Sequence, residues 1–164
     1  MALSACGRLG FNAELDAAGP VDTQTDGEPL PDAAVLLETI TVPTTGATVT
    51  SSTNLEPGSH YALVASGTFT AVPPAVDPLA DAEYYDLDDP VDGPIDIDAS
   101  NMIDFGLAIN ETTVSALKSV RWGAYRADHV YTTDFVGAGA PITAKVFDCC
   151  YSDNTGTLTL QIFR

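Results

Sequence analysis

The residues best suited to chemistry lie near the C-terminal end, in Phe147-Asp148-Cys149-Cys150-Tyr151-Ser152-Asp153-Asn154-Thr155-Gly156-Thr157-Leu158. Asp148 closes one alternating apolar stretch, Asp153 and Asn154 sit at the far side of a short excursion, and Gly156 permits a tight return. This spacing predicts three side-chain oxygens at one loop mouth. Calcium takes about six to eight hard oxygen ligands, commonly carboxylates completed by amide and backbone oxygens, so the set suits Ca²⁺. Zinc would call for imidazole and thiolate, which this spacing does not gather. Asp, Asn and Gly are also the ordinary turn formers, so spacing alone equally describes a plain hairpin loop.

Other groups offer weaker chemistry. Asp77 to Asp98 holds nine acidic residues, which must be solvated or bridged by a cation, and no segment there has the ligand order of an EF-hand. The adjacent Cys149 and Cys150 can form a vicinal disulfide in an oxidising compartment, or one can stay a buried thiol. His60 and His129 are far apart, and neither neighbours a glycine-flanked Ser or a nucleophile elbow, so they read as packed or surface histidines. Carboxylate pairs for glycoside hydrolysis would arise by chance in any chain this acidic. The chain therefore reads as non-enzymatic. Tyr84, Tyr85 and Trp122 can give a sugar-stacking surface, with core or rim packing the simpler reading.

The elements that must position these groups are strands. Apolar residues recur with period two in Leu36 to Val42, Ala47 to Ser51, Tyr61 to Phe69, Ile103 to Ile109, His129 to Val136, Ile142 to Phe147 and Leu158 to Phe163. Thr113 to Arg121 fits a strand or a short helix, and strand is the preferred reading. Gly67, inside the longest run, marks a bulge or a close backbone approach. Val72 to Ser100 carries five prolines and is read as a long acidic loop without a buried ladder. About seven or eight short strands at this spacing, with no strongly amphipathic helix, predict an all-β sandwich of two antiparallel sheets.

Two stretches carry a family resemblance. Pro57-Gly58-Ser59-His60-Tyr61-Ala62-Leu63-Val64-Ala65-Ser66-Gly67 resembles the early strand of the PA-I galactophilic lectin family, and Asp148 with Asp153-Asn154-Thr155-Gly156-Thr157-Leu158 resembles its closing loop. The resemblance implies a small jelly-roll sandwich that binds a galactose-type carbohydrate through two hydroxyls on a bound calcium ion. It implies Asp148, Asp153 and Asn154 as side-chain ligands, completed by backbone carbonyls near Ala71 and Tyr151. Because the loop equivalent to the acidic one here overhangs the metal in that family, the resemblance also implies Asp81 and Glu83, with Asp148 and Asp153, at the sugar. Three departures stand out: the closing loop is shorter, Asp153 replaces an Asn, and the family's sugar-contacting His and Gln have no counterpart. Metal binding therefore carries over better than galactose preference.

Trp122-Gly123-Ala124-Tyr125, His129-Val130-Tyr131 and Gly137-Ala138-Gly139-Ala140-Pro141 are similar to a broader set of secreted bacterial domains ending in the same Tyr-Ser-Asp-Asn-x-Gly-x-Leu motif.

Whole-chain properties narrow the partners. A net charge of -17, from 23 acidic and 6 basic residues among 164, repels nucleic acid and anionic lipid alike. No stretch approaches the ~20 apolar residues of a spanning helix. Leu3-Ser4-Ala5-Cys6 resembles a bacterial lipobox, with Cys6 the residue to be lipidated, although only Met1-Ala2 precede it where a basic and apolar leader belongs. The acidic stretch Asp16 to Asp32 then reads as a flexible tether. The expectation is residues 1-34 as lipobox-like start and disordered linker, 35-164 as the domain, and an extracytoplasmic place, secreted or held at the membrane only through an N-terminal lipid.

Overall fold

In the computed structural model, residues 34–71, 79–87, 93–97, 104–111, 118–148 and 150–164 are described. All regular structure among them is strand, and every ladder is antiparallel. The strands are β1 (Leu36–Pro43), β2 (Val49–Thr50), β3 (His60–Ser66), β4 (Phe69–Ala71), β5 (Leu79–Ala80), β6 (Tyr84–Tyr85), β7 (Ile95–Asp96), β8 (Gly106–Ile109), β9 (Val130–Val136), β10 (Thr143–Phe147), β11 (Asn154–Thr155) and β12 (Thr157–Phe163). They form a four-stranded sheet in the order β1-β12-β3-β9, a three-stranded sheet β2-β10-β8 and a five-stranded sheet β11-β4-β5-β6-β7.

Period-two patterning dictates which face turns inward. On β12, Leu158, Leu160 and Ile162 are buried while Thr157, Thr159, Gln161 and Phe163 are not. Ile40 and Val42 on β1 and Tyr61, Leu63 and Ala65 on β3 join them. β8 is buried at all four positions, as expected of a run with apolar residues on both faces. Leu107 and Ile109 meet Ala144 and Val146 of β10 in the same core.

The expected single strand from Tyr61 to Phe69 breaks at Gly67 (φ 101), facing a break at Gly156 (φ 116) between β11 and β12. Both need the left-handed region that side chains disfavour. Pairing runs on in register across the break, since Thr159↔Ser66 and Thr155↔Thr70 lie four residues apart on both strands. One long antiparallel pair of segments thus belongs to two sheets, and the expected pair of sheets becomes three among the described residues.

The acidic loop departs most from expectation. Three two-residue strands, β5, β6 and β7, form inside it, and Ala80, Asp81, Ala82 and Glu83 are buried. β5 and β6 fall between Pro78 and Pro90 and β7 follows Pro94, which leaves each short ladder intact. Lys118 to Arg121 is not strand; the rest of that expected run, residues 113–117, and Ile103 of the run ending at Ile109 lie outside the described residues, as does the whole of residues 1–33, including Cys6.

Candidate functional site

The closing loop is built from the ends of three strands. β10 delivers Asp148, only 9% exposed, whose Oδ1 accepts from the Cys150 amide at 3.3 Å. The Asp153 amide donates to the Cys150 carbonyl at 3.3 Å, closing the excursion. Asn154 opens β11 directly opposite Ala71 of β4. The structure therefore brings Asn154 and Ala71 together, and sets Asp148, Tyr151 and Asp153 on the same short turn.

Asn154 is fixed from below. Its Nδ2 donates to the Thr44 carbonyl at 2.9 Å, and the buried Thr44 hydroxyl donates to the Gly156 carbonyl at 3.0 Å. Because a carbonyl only accepts, the amide nitrogen must point at Thr44, which settles the direction of Oδ1. That Oδ1, and Oδ1 of Asp153, are buried and receive no hydrogen bond. An unsatisfied buried acceptor costs about 1–3 kcal/mol, so two in adjacent residues call for a donor or a cation. Tyr151 roofs the loop: a Cβ on Gly46 would stand 2.6–2.7 Å from its ring, so only glycine fits beneath it. Among the described residues no three His, Cys, Asp or Glu side chains gather as a metal-holding group. An ion here would rest on two carboxylates, the Asn154 amide oxygen and backbone carbonyls, an all-oxygen set that fits calcium. Cys149, and with it the vicinal bridge to Cys150, lies outside the described residues.

Asp81 and Glu83 do not reach this loop. β5 pairs Ala80 with Phe69 and Leu79 with Thr70, so Asp81 continues past the Phe69 end of β4, whereas Asn154 faces Ala71 at the other end. Both acids are instead buried and saturated. Asp81 Oδ1 accepts from the amides of Glu83 (2.9 Å) and Tyr84 (2.8 Å), capping the turn. Its Oδ2 accepts from Tyr131 Oη at 2.6 Å and from His129 Nδ1 at 3.0 Å. The carboxylate fixes that tautomer, since it can only accept. His129 is held at φ 52, outside the usual range for a side chain. Burial, then the bond to Asp81, pushes the Tyr131 phenol far above its ordinary value.

Glu83 belongs to a charge cluster that sequence reasoning missed. Lys118, fully buried, meets Glu83 Oε2 at 2.7 Å and Asp104 Oδ1 at 3.4 Å, and also donates to the Phe105 carbonyl. Arg121 Nη1 stands 3.5 Å from Glu83 Oε1 and 3.7 Å from Asp104 Oδ1. Asp104 Oδ1 receives no aligned hydrogen bond despite these two cations, so its attraction is purely ionic. Its other oxygen accepts from the Lys118 amide at 2.8 Å. The available signal was the pair Lys118 and Arg121, two of only 6 basic residues, placed in an otherwise apolar and hydroxylic run. Trp122 lies in the core with Nε1 donating to the Leu107 carbonyl at 2.7 Å, and Tyr85 packs edge-on to Phe105, the core packing that was the simpler reading for both.

Burial raises the Glu83 carboxyl above its ordinary value, outweighing the attraction of Lys118. A carboxyl raised on folding stabilises most below its unfolded value near 4.5, and that contribution is lost as pH climbs through the raised value. The stability of the protein relative to Glu83→Gln should therefore decline as pH rises from about 4.5 towards neutrality. Urea denaturation of both proteins across that range measures it, and parallel pH profiles would contradict it.

Beside this cluster the surface opens into a cleft of ≈ 350 Å³ lined by Glu83, Tyr84, Asp96, Arg121, Gly123 and Ala124. Asp96 faces Tyr84 across the β6–β7 pair, and Tyr84 Oη donates to the Gly123 carbonyl at 3.2 Å.

Comparison of the chain with protein-family models, with curated proteins and with solved structures found no match in any of the three.

Proposed function

We propose that the chain is a calcium-dependent carbohydrate-binding module displayed outside the cell. Asp148, Asp153 and Asn154 hold the ion through side-chain oxygens, the carbonyls of Ala71 and Tyr151 complete its shell, and sugar hydroxyls take its open positions. The observation that carries the ion is the pair of buried, donorless oxygens on Asp153 and Asn154. The likeness of this loop and of the Pro57–Gly67 stretch to the PA-I galactophilic lectins supports a sugar as the ligand.

A second reading keeps the ion and drops the sugar, making the calcium a staple within an adhesive surface domain. The burial of Asp148 and Asn154, at 9% and 7% exposure, favours it. Both readings expect millimolar Ca²⁺ to raise the melting temperature of chelator-treated protein by about 5–10 °C, the effect of a ligand well above its dissociation constant. Only the first expects retention on immobilised glycans that a chelator, or Asp148→Ala, abolishes. Calorimetry without heat on adding Ca²⁺ would remove both readings, and Ca²⁺ heat without any glycan retention would leave the staple.

A further inference from the structure

The cleft beside the buried charge cluster has no part in the closing loop, and its chemistry differs. Its floor is the Glu83 carboxylate, held by Lys118 and by the Trp122 amide at 3.3 Å. Asp96, exposed, and Arg121, 46% exposed, stand at its rim. Tyr84 forms the wall. Its ring is stacked on Tyr131 at 6.4 Å, edge-on to Tyr125 at 5.5 Å and tied to Gly123 through the phenol, so it is fixed before any ligand arrives. A Cβ at Gly123 would meet nothing within 4 Å, so the absence of a side chain there leaves the wall open.

Charge decides the kind of ligand. Lys118 and Arg121 stand against Glu83 and Asp104, and Asp96 adds its charge to theirs in front of Arg121. An anion would meet Glu83 and Asp96. An ammonium would meet Arg121, whose charge those acids hold firmly: burial works against it, but Asp104, Glu83 and Asp96 more than compensate. An uncharged group with adjacent hydroxyls meets neither obstacle, because a carboxylate accepts and a guanidinium donates side by side, as a vicinal diol requires. A rigid tyrosine wall adds apolar contact for the C–H face of a ring. At ≈ 350 Å³ the cleft lies at the low end of the ~300–1,000 Å³ of small-molecule sites, room for one ring rather than a chain.

We propose that this cleft binds a single neutral pyranose through Asp96, Arg121 and the Tyr84 ring, without a metal ion. The site goes beyond the calcium reading, since it uses none of residues 148–154 and stands or falls separately from it.

The test is an NMR titration of the full chain in excess chelator, with glucose, galactose and mannose in turn and n-butylamine as the cationic rival. At least one hexose should give saturable shifts with a millimolar dissociation constant. Asp96→Asn, at an exposed position that keeps the fold, should weaken it about tenfold, the effect of losing a charged hydrogen-bond partner. Arg121→Gln should weaken it similarly. The proposal is overturned if no hexose saturates up to about 100 mM, far beyond a millimolar site, if butylamine binds in preference to every sugar, or if Asp96→Asn leaves the sugar affinity unchanged. Because calcium is absent throughout, failure of the calcium reading cannot produce or mask any of these outcomes.

Discussion

Replacing Lys118 with Met should destabilise the protein by about 3–5 kcal/mol, because it strands two carboxylates in the interior. Lys118 is fully buried, and its ammonium lies between Glu83, 2% exposed, and Asp104, which is inaccessible. Methionine fills the same channel, so lost packing contributes little to the change. What remains is Arg121 alone, half-exposed and 3.5 Å or more from either acid, too distant and too solvated to replace a buried ammonium. The penalty should shrink on acidification, when Glu83 takes up the proton that its burial already favours. Equilibrium denaturation at neutral and acid pH measures both parts. The double variant Lys118→Met, Glu83→Gln should recover part of the loss at neutral pH. A single variant as stable as the parent would mean the cluster is solvated after all.

The second large effect is expected at Gly106, where Ala should cost at least about 3 kcal/mol through strain and collision together. The residue sits at φ 103, a backbone region that a side chain resists. A Cβ there would also fall 2.2 Å from the Ala82 carbonyl oxygen and 3.1 Å from Lys118 Nζ. That carbonyl cannot retreat easily, since it accepts the Leu107 amide at 2.8 Å and thereby fastens the β5–β6 turn to β8. Gly58 provides the comparison: its φ of 74 carries a similar conformational demand, but a Cβ there would touch nothing within 4 Å. Gly58→Ala should therefore cost only about 1 kcal/mol. Melting curves of the two variants separate collision from conformation, and equal losses would show that the contact with Ala82 is yielding.

The strands of the β1-β12-β3-β9 sheet were legible because each turns one face to the core. Leu158, Leu160 and Ile162 alternate with exposed or half-exposed residues, as Tyr61, Leu63 and Ala65 do with His60, Ala62 and Ser66, Val64 alone being buried on the other face, and that alternation is written in the sequence. Gly67 was legible as an interruption for the same reason, since a glycine in such a run has few other uses. β5, β6 and β7 were not, because two-residue strands in a proline-rich stretch carry no period. The loop at Asp148–Asn154 announced itself by residue type, but the lone direction open to Asn154 Oδ1 depends on the Thr44 carbonyl, more than a hundred residues away in the chain. The interior charges were hidden by abundance. Among 23 acidic residues, nothing in composition distinguishes Asp81, Glu83 and Asp104, which go inside, from Asp96 and Asp134, which stay out. Their partners decide it, and those partners come from distant segments: Tyr131 and His129 for one acid, Lys118 for the other two.

The pairing of β1 with β12 also determines how the domain would carry a load. Val35 and Arg164 exchange two backbone hydrogen bonds, at 2.7 and 3.0 Å, at one end of that ladder, and Pro43 faces Thr157 at the other, next to Thr44 and the closing loop. Tension between Val35 and the closing loop would run lengthwise along the strands, so the rungs from Leu36 to Pro43 resist in parallel as a shear joint. Tension that draws Val35 away from Arg164 would peel the same rungs apart one after another. The molecule is thus built to withstand pulling along one axis and to yield along another.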